Sequence, residues 1–325
     1  MQCSDYDTSS TCANVNDWVR VSSRKGKGRK HLVIPRYSTT HINSFSPTTL
    51  DEDDILSLRR KFHSIRSRFT RDHRLFLDSV LSDLNCAFPA SVSPQSVDVL
   101  CLGLGNPAIH VASLRQLAFL DILLEHDTRL DRAHTRLYDP LFGPVARQFI
   151  REFGMQLIER NDEARYELSP DRYHFVFLPH CSPVLLDNLL LVNWSKSVLE
   201  KVVFFSNDWK QSRTELLESG TPSRELDDIL PHIQCLEPAL CVGSFNKLIS
   251  KKKFREEVDF EGMRIQWFPP AKLSGIEFKQ SLFDCSARQK DDTGLVGDLV
   301  SSKTVSSFID LCQTHSVQTF DTASE

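Results

Sequence analysis

No segment of this 325-residue chain approaches the roughly 20 consecutive apolar residues that a membrane-spanning helix requires. The first ten residues lack the basic-then-apolar layout of a secretory signal, so a non-secreted protein is expected, cytoplasmic or also nuclear, with no membrane partner. Cysteine pairing motifs are missing too. Cys3, Cys12, Cys86, Cys101, Cys181, Cys235, Cys241, Cys285 and Cys312 are odd in number, scattered, and never three apart. That pattern argues against a disulfide framework and against a zinc hook, and it favours reduced thiols. No Cys precedes a proline, so a Cys-Pro haem-sensing dipeptide is absent. Charge of one sign is also scarce: the net charge is only −4. Residues 1–85 carry +4 and the remainder −8. A mildly acidic body behind a basic amino-terminal region disfavours nucleic acid as a dedicated partner.

What is present is a nucleotide-fold entry. The apolar run Val97–Leu102 ends at Gly103 and Gly105, and a nearly all-apolar helical stretch follows from Val111 to Glu125. Ala108 stands where a third glycine would complete the dinucleotide fingerprint. Asn106 before Pro107 reads as a helix N-cap with proline in the first turn. The strand-then-polar-tip pattern recurs. His134–Tyr138 ends at Asp139, and Met155–Ile158 runs into Asn161 and Asp162. Tyr173–Leu178 ends at His180 and Cys181, and Val202–Phe205 ends at Asn207. Helices are expected from Pro144 to a stop at Gly154, from Ser182-Pro183, and from Trp209 to near Gly220. Ile233–Val242 and Ile265–Pro270 are candidates for further strands.

Alternation of this length predicts an α/β fold, a Rossmann-like mainly parallel sheet with helices on both faces. Ahead of it, Ile55, Leu58, Phe62, Ile65, Phe69, Phe76 and Val80 predict an amphipathic helical segment over 51–88, packed on the core with a wet basic outer face. Residues 1–50 read as a disordered arm carrying the basic run Arg24–His31, 97–283 as the α/β domain, and 284–325 as a loosely ordered tail.

In such a sheet the strand carboxyl tips share one rim, and ligands bind there. The predicted ligand-binding residues are therefore Gly103, Gly105, Asn106, Asp139, Asn161, His180, Cys181 and Asn207. Asp139 is placed to hold a ribose or to cap a turn. His180 and Cys181 are open to strand-tip structure, to haem or metal ligation, or to acid-base or covalent chemistry. No third group completes a catalytic set, so no catalytic or metal residue is assigned and no cofactor is identified.

The ordered segments Val99–Gly105, Arg115–Phe119, Tyr138–Phe142, Pro179–Cys181 and Asn193-Trp194, with Trp267–Pro269 later, resemble the sensitivity-to-red-light-reduced family. The resemblance implies a regulatory protein without established catalytic residues, associated with the circadian clock, light signalling and the regulation of haem synthesis. An unidentified protein partner or small ligand, haem included, is implied. The family's Asn-Glu-Glu-Gly-Lys tract appears here as Asn161–Arg165, with Ala164 in the glycine's place. The usual Gly-Asn after the fifth strand is Ser206-Asn207. The alternative is a transferase holding S-adenosylmethionine or a nucleotide on the Gly103–Gly105 turn and Asp139. Against it, no acidic residue stands immediately before the glycines.

Overall fold

The computed structural model describes residues 52–218, 230–244 and 259–278. The amino-terminal arm with its basic run and the tail after 284 lie outside them. Seven strands form one sheet: β1 (Val97–Leu102), β2 (Leu130–Tyr138), β3 (Gln156–Leu157), β4 (Tyr173–Leu178), β5 (Val202–Asn207), β6 (Cys241–Val242) and β7 (Met263–Trp267). Their order is β3-β2-β1-β4-β5-β7-β6. The first five strands pair in parallel, whereas β7 runs antiparallel to both β5 and β6.

The central strands β1, β4 and β5 are buried on both faces because their side chains alternate between two apolar cores. Val97, Val99, Cys101, Phe175, Phe177, Val203 and Phe205 enter one core. Leu100, Leu102, Val176, Leu178, Val202 and Phe204 enter the other. The first core is covered by α1 (Glu52–Asp72), α2 (Arg74–Ala87), α3 (Val111–His126) and α4 (Pro144–Glu152). The second is covered by α5 (Pro183–Val192), the short α6 (Lys196–Leu199), α7 (Trp209–Glu218) and α8 (Pro231–Leu236), with α9 (Pro270–Leu273) beside β7.

Local rules explain most boundaries. The Ser182 hydroxyl accepts from Val184 N at 3.3 Å ahead of Pro183, and Gly154 takes φ +73° just past α4. Three expectations change. The amphipathic segment is two helices, because His73 leaves helical geometry (φ −118°, ψ 26°) and is buried, its ring 5.3 Å from Phe69. Packing of a buried polar residue, invisible to periodicity, makes that break. Asn106 caps no helix: α3 starts only at Val111, with His110 extended before it. Ile233–Val242 is mostly helical, and only Cys241–Val242 pairs as a strand.

The outward-facing arginines of α1 are partly recruited to the body. Arg59 pairs with Glu152 of α4 at 2.7 Å, and Arg66 pairs with Asp121 of α3 at 3.0 Å and with Glu125.

Candidate functional site

The tips of β1, β2, β4 and β5 lie at the same end of the parallel sheet, and β1 is flanked by β2 on one side and β4 on the other. The chain reverses its direction of winding there, which is where open α/β sheets leave a crevice.

At the β1 tip Gly103 has φ +71° and Gly105 φ +74°. A Cβ on Gly103 would sit 2.2 Å from Cys181 Sγ, and one on Gly105 would sit 2.5 Å from Ser113 Oγ. Backbone angle and space both require glycine at the two positions. From the β2 tip, Asp139 reaches back: Gly105 N donates to its Oδ2 at 2.7 Å, and Leu141 N to its Oδ1 at 2.8 Å. Asp139 is 4 % exposed. Burial pushes its carboxyl pKa up, against the downward pull of those two N–H donors. Asn106 completes the brace, donating from Nδ2 to Leu141 O at 2.9 Å and accepting from Ala108 N at 3.0 Å.

On the other side of β1, His180 follows β4 with φ +52°, and its Nε2 lies 2.8 Å from Asp259 O. Cys181 Sγ donates to Leu102 O at 3.2 Å, filling the space that Gly103 leaves. Asn207, ending β5, donates from Nδ2 to Cys181 O at 3.3 Å. Its Oδ1 is buried with no hydrogen-bond partner. A small cavity of about 10 Å³ nearby is lined mostly by apolar side chains, Leu178, Leu186, Trp209 and Ile233 among them, with Ser206, Asn207 and Ser212.

Seven of the eight predicted residues thus belong to a chain of contacts running from β2 to β5. Asn161 stands apart. It is exposed in the loop after β3, two strands from β1, and accepts from Glu163 N at 3.0 Å.

That loop shows what the missing family glycine does. Glu163 and Ala164 both have positive φ, +51° and +66°. Ala164 therefore adopts the left-handed geometry that glycine adopts without strain, at a cost of about 1–2 kcal/mol. Glycine loses about 0.4–1 kcal/mol through its unfolded-state freedom. Ala164→Gly is expected to be neutral or to stabilise by up to about 1 kcal/mol, where the same change inside a helix loses about that much. Urea unfolding midpoints check it; a clear loss would contradict the left-handed assignment.

Sequence reasoning missed Arg115, Gln116, Asp259 and Gln266. Gln266, fully buried on β7, accepts from Trp209 N at 3.2 Å and donates to Asn207 O and Ser206 Oγ, each at 3.0 Å. Arg115 and Gln116 had a usable signal, two adjacent polar residues in a largely apolar helix. Asp259 had none.

Metal-ligating types meet elsewhere among the described residues, toward the amino-terminal ends of β1 and β2, away from the rim, where Asp98, Asp131 and His134 cluster. Arg172 already supplies a cation there, 2.6 Å from Asp98 and 3.3 Å from Asp131, and His134 Nδ1 is 2.6 Å from Asp131. The arrangement is an ion-pair network in which a metal would have to displace a guanidinium. Burial pushes Cys101 well above the ordinary thiol range, with electrostatic contributions from Cys181 and Asp139 adding to it. It is a core thiol, not a nucleophile.

At the same end of the sheet, on β4, His174 is 1 % exposed, its Nε2 2.8 Å from Ser169 O. Burial lowers its pKa from 6.5. A depressed folded-state value favours the neutral ring. Its contribution is therefore present above pH 6.5 and lost as pH falls through the lower folded value. Wild type should lose more stability than His174→Gln between about pH 7.5 and about pH 5 in urea titrations. Equal losses would contradict this.

Sheet order, glycine turn and populated rim define a Rossmann-like α/β protein whose rim is braced by its own polar side chains. Among the described residues no helix is long and apolar enough to cross a membrane. The chain belongs to the SRR1 domain family, which it matches over residues 59–267. It is 29% identical to an SRR1-like protein of Mus musculus over 176 residues, 54% of this chain and 68% of that protein. With an SRR1-like protein of Drosophila melanogaster it shares 24% identity over 206 residues, 63% of this chain and 67% of the other. With Protein SENSITIVITY TO RED LIGHT REDUCED 1 of Arabidopsis thaliana it shares 25% identity over 119 residues, 36% of this chain and 42% of the other.

Proposed function

We propose that this chain is a regulatory protein without a reaction of its own, and that its strand carboxyl rim binds a small ligand or a partner protein. One observation carries the reading: rim groups suited to chemistry are engaged in holding loops. Asp139 has an N–H on each oxygen, the Cys181 thiol is on Leu102 O, and His180 Nε2 is against Asp259 O. A nucleophile or general base needs its reacting atom within reach of a substrate, and these atoms face backbone. The polar contacts instead fix the shape of a surface from which Ile109 and Leu141 project, 71% and 51% exposed. Such a surface suits recognition.

The roles this reading carries over from the family are circadian timing and the regulation of haem synthesis, exercised in the cytoplasm and nucleus. A plant relative's name refers to red-light sensitivity. Depleting the protein should alter the period of a clock reporter and cellular haem content; no change in either removes both roles. Haem itself is a further candidate ligand. A Soret shift that survives both His180→Ala and Cys181→Ala would eliminate those two residues as its ligands.

The transferase reading keeps one support, an acidic residue at the β2 tip beside the β1 glycine turn. Calorimetry with S-adenosylmethionine, S-adenosylhomocysteine, NAD and ATP separates the two. Saturable S-adenosylmethionine binding with methyl transfer to any acceptor would overturn the regulator reading; binding without turnover, or silence, is expected.

A further inference from the structure

Three side chains from two elements converge on one residue at the rim. Asp259 lies in the turn Asp259–Gly262 that leads into β7. Its carboxylate accepts from Arg115 Nη1 at 3.0 Å. Its carbonyl accepts from Gln116 Nε2 at 3.1 Å and lies 2.8 Å from His180 Nε2. Arg115 and Gln116 stand in the early turns of α3, just past the glycine loop, and His180 follows β4, so this turn bridges the mouth between β1 and β4. Next to Asp259, Phe260 is fully buried, its ring 4.7 Å from Phe119 and 5.5 Å from Phe76. The turn is anchored by an aromatic ring and latched by an ion pair.

That ion pair is mostly out of water, with side chains 12% and 10% exposed. The Arg115 guanidinium is nonetheless incompletely satisfied: its Nε is buried and has no hydrogen-bond partner. A guanidinium presents donors in a fork that suits two oxygens of one anion, and here it is given a single carboxylate contact. A tetrahedral oxyanion with oxygens on several sides fits that fork better than the side chain now on it.

We propose that Asp259 is an internal stand-in for an anionic ligand. The turn is a strap closed over the rim, and a phosphate- or pyrophosphate-bearing ligand enters by taking Arg115 from Asp259. This rests on the rim being a binding surface, as proposed above, and names the ligand's charge and what opposes its entry. While the strap is shut, the apparent affinity for the anion is reduced by the fraction of molecules that are open.

The test is calorimetry of the full chain with inorganic pyrophosphate, paired with amide hydrogen exchange at Phe260–Gly262. Asp259→Asn is expected to bind pyrophosphate about tenfold more tightly than wild type, with faster exchange in the turn. Arg115→Gln should show the same faster exchange and no binding. Equal affinity in wild type and Asp259→Asn, or unchanged exchange in a folded Asp259→Asn, overturns the proposal. Should that variant not fold, Asp259→Ser, which also removes the competing carboxylate, carries the comparison: tighter binding than wild type supports the strap, and equal or weaker binding overturns it. Pyrophosphate bound by none of these proteins also overturns it. Another ligand that binds the rim equally well with and without Asp259 would refute the strap and leave the rim reading standing.

Discussion

Gly105→Ala should lower the unfolding free energy by about 2–3 kcal/mol. Two costs combine. An alanine at φ +74° pays the left-handed penalty of about 1–2 kcal/mol, and its Cβ would arrive 2.5 Å from Ser113 Oγ. Ser113 is 6 % exposed on α3, so its hydroxyl has little room to withdraw. The two costs separate in a double-mutant cycle. Ser113→Ala removes the hydroxyl, so Gly105→Ala made on that background should lose only the backbone part, about 1–2 kcal/mol. Strict additivity in urea unfolding would mean that the hydroxyl does not limit space beside the turn.

Asp139→Ala should cost a similar amount, about 2–4 kcal/mol, for a different reason. It orphans the N–H groups of Gly105 and Leu141, which donate at 2.7 and 2.8 Å, and each stranded buried donor costs about 1–3 kcal/mol. Relief from burying the carboxylate offsets part of the loss. The pH dependence follows from that burial. A carboxyl raised above its ordinary 3.8 when folded gives stability that is fully present below that value and lost as pH rises through the folded pKa. Wild type should therefore lose stability relative to Asp139→Asn over the window just above 3.8 and hold a constant difference beyond it. The opposite slope would mean that the two N–H donors outweigh burial.

The two variants break the same joint from opposite sides, and they mark what could be read without coordinates. β1 and β4 have the predicted bounds, Val97–Leu102 and Tyr173–Leu178, because a buried strand is a short apolar run closed by turn residues. Ser182-Pro183 and Gly154 mark helix ends through contacts within a few residues. The rim tips were legible for the same reason, as polar residues at strand ends. Their role was not. Asp139 looks like a ligand-facing acid, yet one of its partners is a backbone N–H 34 residues earlier. Asn106 before Pro107 is locally an ideal cap, and its Oδ1 does accept from Ala108 N, yet the turn is not continued and α3 starts four residues later than that cap implies. Asp259 meets Arg115 across 144 residues, and nothing near it announces the contact. Pairings of polar atoms over such separations are decided by tertiary packing, which leaves no periodic trace.

The rim's polar side chains tie neighbouring strand tips together. Amide hydrogen exchange of wild type and Asp139→Ala tests this most directly. Protection should fall together in Gly103–His110 and Asp139–Gly143, while β5 and β7, on the far side of β4, keep theirs. Loss confined to one of the two loops, or no loss in either, would contradict it.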